Sequence, residues 1–314
     1  CPFFAAALSL FLFTACGSGI LDALDKMKGD RGVLSLPLEN GYLAKNGIGS
    51  DIVIIFKKSM ETGELKLGGD LGSIASPSWN STDRGDDTLT LTPPSGGEWP
   101  NPGEKTLEVS CEDINGNKVS FTSRYSIIDA VRCVSKSGND SGNGSREHPF
   151  LTVQKAVDDI KGISSAGFES AVLISEGTYT TSGTHVNISK VYGFTGDIVI
   201  CGGYSDDWMD CDPLEHETVL TQEDSSGDAV ALINAYHPDF TDKTVIKDLT
   251  LRDGSSAPGS TVAVSIMGDV VVSNCRIYAG AGNSGSTTVI VSDARSSARI
   301  EKSSLYMNNS SAMM

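Results

Sequence analysis

The residue pattern predicts an all-β protein in two parts: a small β-sandwich, then a stack of parallel β coils closed at its start by one short helix. Three observations predict it. Residues 33–128 hold short runs of alternating apolar and polar residues between turn signals. From residue 172 onward, short aliphatic runs recur at a nearly constant spacing. Between the two parts lies one amphipathic stretch, Val153–Ile160.

Length and composition bound the answer. A chain of 314 residues allows two domains, at about 100–200 residues each. Its 34 glycines and 7% aromatic content match a turn-rich β protein. The net charge is -16, and no Lys/Arg-rich run interrupts it. That charge argues against nucleic acid, anionic lipid or acidic polymers as partners, and is compatible with cations.

In chain order, Phe3–Phe13 (FFAAALSLFLF) comes first. It is too short for a spanning helix of about 20 residues and fits a signal-peptide core. It runs into Phe13-Thr14-Ala15-Cys16 and then Gly17-Ser18-Gly19. This resembles the bacterial lipobox, with Phe13 where Leu is usual. The resemblance implies a leader over 1–15, expected to be truncated because no basic segment or Met precedes it. It also implies lipidation of Cys16 and a membrane partner through the acyl chains. Residues 16–32 then form a short polar tether.

The sandwich follows over 33–128. Asp51–Phe56 (DIVIIF), Thr88–Thr92 (TLTLT) and Thr106–Ser110 (TLEVS) read as strands. Asn115-Gly116 marks a hairpin before Lys118–Phe121. Pro93, Pro94, Pro100 and Pro102 punctuate a loop. Strands this short at this spacing predict a sandwich. The segments IIFKKSM (54–60), DTLTLTP (87–93) and LEVSCEDINGN (107–117) resemble bacterial Ig-like domains of S-layer and adhesin-like proteins. That resemblance implies a spacer with no catalytic set. Cys111 and Cys133 flank its end, either as a disulfide or as two separate buried thiols.

Residues Ser135–Glu147 are rich in Gly, Ser and Asn and lack any large apolar residue, so they form a loop. The spacing of Gly138, Gly142 and Gly144 lacks the acidic partner or Walker lysine that phosphate binding needs. Pro149 stops the loop, Thr152 is the expected N-cap, and Val153, Ala156, Val157 and Ile160 make one apolar face. Val134-Ser135, Gly138-Asn139-Asp140, Gly144, Pro149-Phe150, Thr152-Val153-Gln154 and Ala156-Val157 together resemble the opening of pectin-lyase-like right-handed parallel β-helix domains. The resemblance implies that the helix caps an open β-helix end. It implies no enzyme.

The coil occupies the rest of 129–314. Val172 and Ile198 are 26 apart (198 − 172), as are Ile246 and Val272 (272 − 246), and Ile300 lies 28 further on (300 − 272). Val262 and Val264 recur as Thr288 and Ile290, again 26 on (288 − 262). Stacked units of this period without a helix define a parallel β-helix. In this frame Cys275 takes the place of Leu249 and is an inward thiol, and Asp248 and Asn274 stack at one turn. The last rung is followed by Asn308–Met314 with no cap, so either further coils are expected beyond it or the last rung frays.

One segment, Ile200–Leu220, looks equipped for binding. It resembles a Gly-Gly-Tyr turn of surface β-helix lipoproteins, with Cys211 where that turn has Arg. Asp206, Asp207, Asp210, Asp212, Glu215 and Glu217 crowd it, a candidate Ca²⁺ or ligand loop without EF-hand spacing. Tyr204 and Trp208 either stack on a sugar or pack over the loop. Cys201 and Cys211 either form a disulfide or leave a coil-facing Cys201 with Cys211 free. The histidines (148, 185, 216 and 237) are scattered, and no triad or zinc pair emerges. Together these features predict a lipid-anchored protein of the outer membrane or cell surface. It presents a β-helix for adhesion, glycan contact or envelope structure, with a polysaccharide or surface protein as partner, no cofactor beyond Ca²⁺ and no catalysis. The alternative is a polysaccharide lyase or glycosidase on the same fold.

Overall fold

The computed structural model describes residues 33–35, 41–81, 87–95, 97–100, 103–181, 186–189, 194–208, 210–222, 231–236, 242–252, 262–279, 287–291 and 297–307. The leader, Cys16, the tether, His185 and His237 lie outside them. The described residues are mostly strand, arranged in five sheets. No helix among them is long and apolar enough to cross a membrane.

Two four-stranded sheets share the first core. One orders Val33–Ser35, Ile52–Phe56, Thr88–Thr92 and Ser76–Asn80, all antiparallel. The other orders Gly41–Ala44, Lys118–Ile128, Gly103–Asp113 and Met60–Gly68, with its first pair parallel. Strict alternation sets the faces. In Thr88–Thr92 the two leucines are buried and the threonines are not. In Lys118–Ile128 Val119, Phe121 and Tyr125 point inward, where they meet Ile52, Ile54, Phe56 and Leu107. Gly116 takes φ +79° at the hairpin, the left-handed geometry that such a turn requires.

After Asp129 the chain enters three parallel sheets and visits them in rotation. The first sheet holds Ala130–Val134, Glu169–Ser175, Asp197–Tyr204, Lys243–Lys247, Asp269–Ser273 and Ser297–Glu301. The second holds Gly177–Thr181, Thr218–Gln222, Thr250–Arg252, Arg276–Ala279 and Ser304–Met307, and the third Val186–Ser189, Ala231–Tyr236, Val262–Met267 and Thr287–Val291. Their inward residues form one core, in which Val172, Ile200, Ile246 and Val272 stack rung on rung. Cys275 is in that core, 1% exposed, where burial pushes its thiol pKa up to about 12. Asp248, Asn274 and Lys302 all take positive φ at the same turn of successive coils. There the Asn274 amide donates to the Asp248 carboxylate at 2.6 Å.

Two expected registers shift. Val172 pairs with Ile200 rather than Ile198. A shift of two keeps the same face inward, so aliphatic periodicity cannot detect it. Val262 and Val264 pair with Thr287 and Val289 rather than Thr288 and Ile290. The sequence of Thr287–Val291 (TTVIV) is β-branched throughout and carries no alternation to mark its register.

The helix Val153–Lys161 packs against the first and third sheets with Val153, Ala156, Val157 and Ile160 buried. Thr152 Oγ1 accepts from the Lys155 N–H at 3.3 Å. Asp140 braces the helix start by accepting from Leu151 N, Thr152 N and Thr152 Oγ1, each at 2.9 Å. The glycines of the preceding loop answer to packing. A Cβ on Gly138 would lie 2.3 Å from the Phe150 carbonyl, and one on Gly144 would lie 2.5 Å from the Phe150 ring. Cys111 and Cys133 are separate buried thiols.

A third, smaller cluster joins the two parts. Outward residues of the first parallel sheet (Val131, Cys133, Ala171, Leu173, Cys201) pack with Ala44 and Ile128 of the sandwich. Strand Glu169–Ser175 is thus covered on both faces, which explains its unbroken apolar run.

Candidate functional site

The corner between Asp197–Tyr204 and Thr218–Gln222 is tied around Ser205. Its N–H donates to the Asp210 carbonyl (3.0 Å), its hydroxyl donates to Asp207 Oδ1 (2.7 Å), and it accepts from the Asp210 N–H (2.9 Å). Several of the expected acidic ligands are already committed, some to local turns and some to side chains of neighbouring coils. Asp206 accepts from Ser175 Oγ at 2.8 Å, and Asp212 accepts from Leu214 N at 2.8 Å. Glu217 accepts from Thr250 Oγ1 (2.7 Å) and pairs with Arg276 (3.3 Å). The Asp212 bond satisfies the backbone of the tight loop, while Asp206 and Glu217 tie the corner to the coils on either side.

The aromatic pair packs over this loop. Tyr204 and Trp208 are 2% and 6% exposed, with ring centroids 5.9 Å apart. Trp208 holds φ +62°, a conformation that costs a bulky L-residue roughly 1–3 kcal/mol. Cys201 and Cys211 are free thiols. Cys201 points outward into the junction rather than into the coil, because residues alternate along its strand and Ile200 takes the inner face. Burial pushes the Cys201 thiol far up, so it is no nucleophile near neutral pH. Cys211 is exposed.

Beside the corner, a cavity of 580 Å³ opens between the sandwich and the coil. Asp51, Val53 and Ile55 line it from the sandwich, Arg146, Glu147 and His148 from the polar loop, and Asp207 and Trp208 from the corner. Asp51 is exposed by area, yet crowding of its carboxyl raises its pKa above the ordinary value. Ser50 opposes that rise and nearby Glu147 adds to it. Mixed apolar and ionic linings at a junction between units suit ligand binding.

The sequence pattern points to the corner and misses the sandwich wall of the cavity, because Asp51 and Glu147 meet only through the fold. It also misses His216, whose ring lies 3.3 Å from Glu176 and 3.7 Å from Asp210. The basic strand residues do not gather. Arg252 sits over Tyr278 (5.3 Å), Arg276 pairs with Glu217, and Arg299 pairs with Glu301 at 3.4 Å.

No protein-family model and no curated protein matches this chain. Among solved structures, the crystal structure of CopC from Methylosinus trichosporium OB3b is similar to part of it. The two share 12% identity over 30% of this chain and 90% of that one, with a TM-score of 0.24. A likeness that slight carries no inference about fold or function.

Proposed function

We propose that this chain is a lipid-anchored surface protein of a bacterial envelope that binds without catalysing. In this reading Cys16 carries the anchor, 16–32 is a tether and 33–128 is an Ig-like spacer. The remainder is a right-handed parallel β-helix of the pectin-lyase-like type, capped by Val153–Lys161. Its role is adhesion, glycan contact or envelope structure, and its partner is a polysaccharide or a surface protein. One observation carries the binding part: the 580 Å³ cavity at the junction is lined by carboxylates, Arg146, His148 and the strained Trp208. Carboxylates and a guanidinium suit the hydroxyls of a sugar, and the packed Trp208 shapes the wall of the cavity.

Two tests address the two halves. Retention of the chain on a panel of immobilised polysaccharides, with and without Ca²⁺, is expected to fall about tenfold in Glu147→Gln and Trp208→Phe, the loss of about 1.4 kcal/mol of binding free energy. Retention equal in all variants contradicts binding at the cavity. For the anchor, the mass of the cell-derived protein is expected to equal the chain from Cys16 plus acyl groups, and an uncleaved leader contradicts it.

A second reading, a carbohydrate-active enzyme, draws on one observation. Asp51, whose pKa is raised by crowding of its carboxyl, shares the cavity with a second carboxyl group, Glu147, and paired carboxyls are the parts of acid–base glycoside cleavage. Cleavage by the wild type that is lost in Asp51→Asn favours this reading.

A further inference from the structure

We propose that Asp210, Glu215 and His216 form a site for a divalent transition-metal ion at the corner between the first and second parallel sheets. The proposal is independent of the glycan reading. One ligand atom from each of the three residues lies within 4.8 Å of the others. The loop brings them together. Cys211 bridges back to Tyr204, and the Asp212 carbonyl accepts from the N–H groups of Glu215 (3.1 Å) and His216 (2.7 Å). That turn returns residues 215 and 216 to the side of Asp210.

The orientation of the imidazole separates this cluster from an ordinary acidic loop. His216 Nδ1 lies 3.3 Å from Glu176 Oε2, and Nε2 lies 3.7 Å from Asp210 Oδ2. Nδ1 is buried and makes no hydrogen bond of good geometry. A neutral imidazole has one N–H and one lone pair, yet here both nitrogens face carboxylates. With the proton on Nδ1, directed at Glu176, the Nε2 lone pair points into the space shared with Asp210 and Glu215. A second proton on the ring or a metal ion on Nε2 each satisfies this arrangement, so the two compete for the same lone pair. Carboxylate, histidine and metal in that order is how ligating histidines are commonly held. Glu176 comes from the same corner one coil earlier and is itself engaged, accepting from Asp206 N at 3.3 Å. Glu176 therefore stands beside Nδ1, outside the ligand set, where a small turn of the ring would let it accept the Nδ1 proton.

The donor set names the class of ion. One imidazole nitrogen and two carboxylates suit Zn²⁺, Co²⁺ or Ni²⁺, whereas Ca²⁺ takes six to eight oxygens. Three protein ligands leave a position for water or for a donor from a partner. Asp210 and Glu215 are exposed, so that position faces solvent.

Calorimetric titration of the full chain with Zn²⁺, Co²⁺ and Ca²⁺ tests this, with the visible absorption of bound Co²⁺ as a second readout. Zn²⁺ and Co²⁺ are expected to bind one per chain, and Ca²⁺ to bind at least tenfold more weakly, a difference of about 1.4 kcal/mol. His216→Ala is expected to abolish binding, and Glu176→Gln to weaken it about tenfold or more. Cys211→Ser, which removes the neighbouring thiol, should leave it unchanged. Glu215→Gln alters only an exposed ligand, so it keeps the test valid if His216→Ala disturbs the fold. Binding that survives both His216→Ala and Glu215→Gln overturns the proposal, as does binding lost in Cys211→Ser or no uptake of Zn²⁺ or Co²⁺ at micromolar concentration.

Discussion

Asp140 is a single side chain on which the start of the helix Val153–Lys161 depends. Its three hydrogen bonds hold Leu151 and Thr152, and Asp140→Ala is expected to cost about 2 kcal/mol, read as a lower denaturant midpoint at constant slope. Asp113 plays a similar part in the sandwich hairpin, where the Asn117 side chain first, and its backbone N–H second, lower the carboxyl pKa to about 2. The folded state thus binds this proton more weakly than the unfolded chain. The stability it contributes is present above about pH 4 and is lost as pH falls toward about 2. Asp113→Asn should flatten that acid limb in a series of unfolding curves. Among the described thiols, only Cys211 is exposed. Alkylation of the native protein, mapped by mass spectrometry, should modify Cys211 first, and slowly near neutral pH because desolvation raises its thiol pKa to about 11, and reach Cys111, Cys133, Cys201 and Cys275 only on unfolding.

At the scale of the element, the helix and the first strand of the coil are joined by one ion pair. Arg132 Nε donates to Asp159 Oδ2 at 2.6 Å, and the Arg132 side chain is 10% exposed. Asp159→Ala leaves that guanidinium with its bond to the Val131 carbonyl but without its counter-charge, and because Asp159 is itself 34% exposed the expected cost in chemical denaturation is about 1–2 kcal/mol. The apolar face Val153, Ala156, Val157 and Ile160 is legible in the sequence, because a period near 3.6 leaves one interpretation of those residues. So is Thr88–Thr92, whose alternation has one inward set. The third-sheet strand Thr287–Val291 is not, since five residues of β-branched character mark no face. The Arg132–Asp159 pair is not legible either, because its partners lie on different elements and neither carries a motif. The same reason hides Glu176 behind His216, although the acidic crowding of the corner itself is plain from composition.

For the whole molecule, the deciding feature is the junction. Ala171, Leu173 and Cys201 would be an exposed apolar stripe on the coil if Ala44, Ile128 and their neighbours did not cover them. Leu173→Ala is expected to cost about 2–5 kcal/mol and, by loosening that contact, to split one calorimetric transition into two. The junction also makes the cavity, since Asp51 comes from one part and Glu147 and Trp208 from the other. A binding role in that cavity without turnover is the central claim. The most direct measurement is product analysis of the full chain after long incubation with the polysaccharides that retain it, wild type and Asp51→Asn side by side. The account predicts intact polymer from both proteins. Shortened chains from the wild type and none from Asp51→Asn would contradict it and make the cavity an active site.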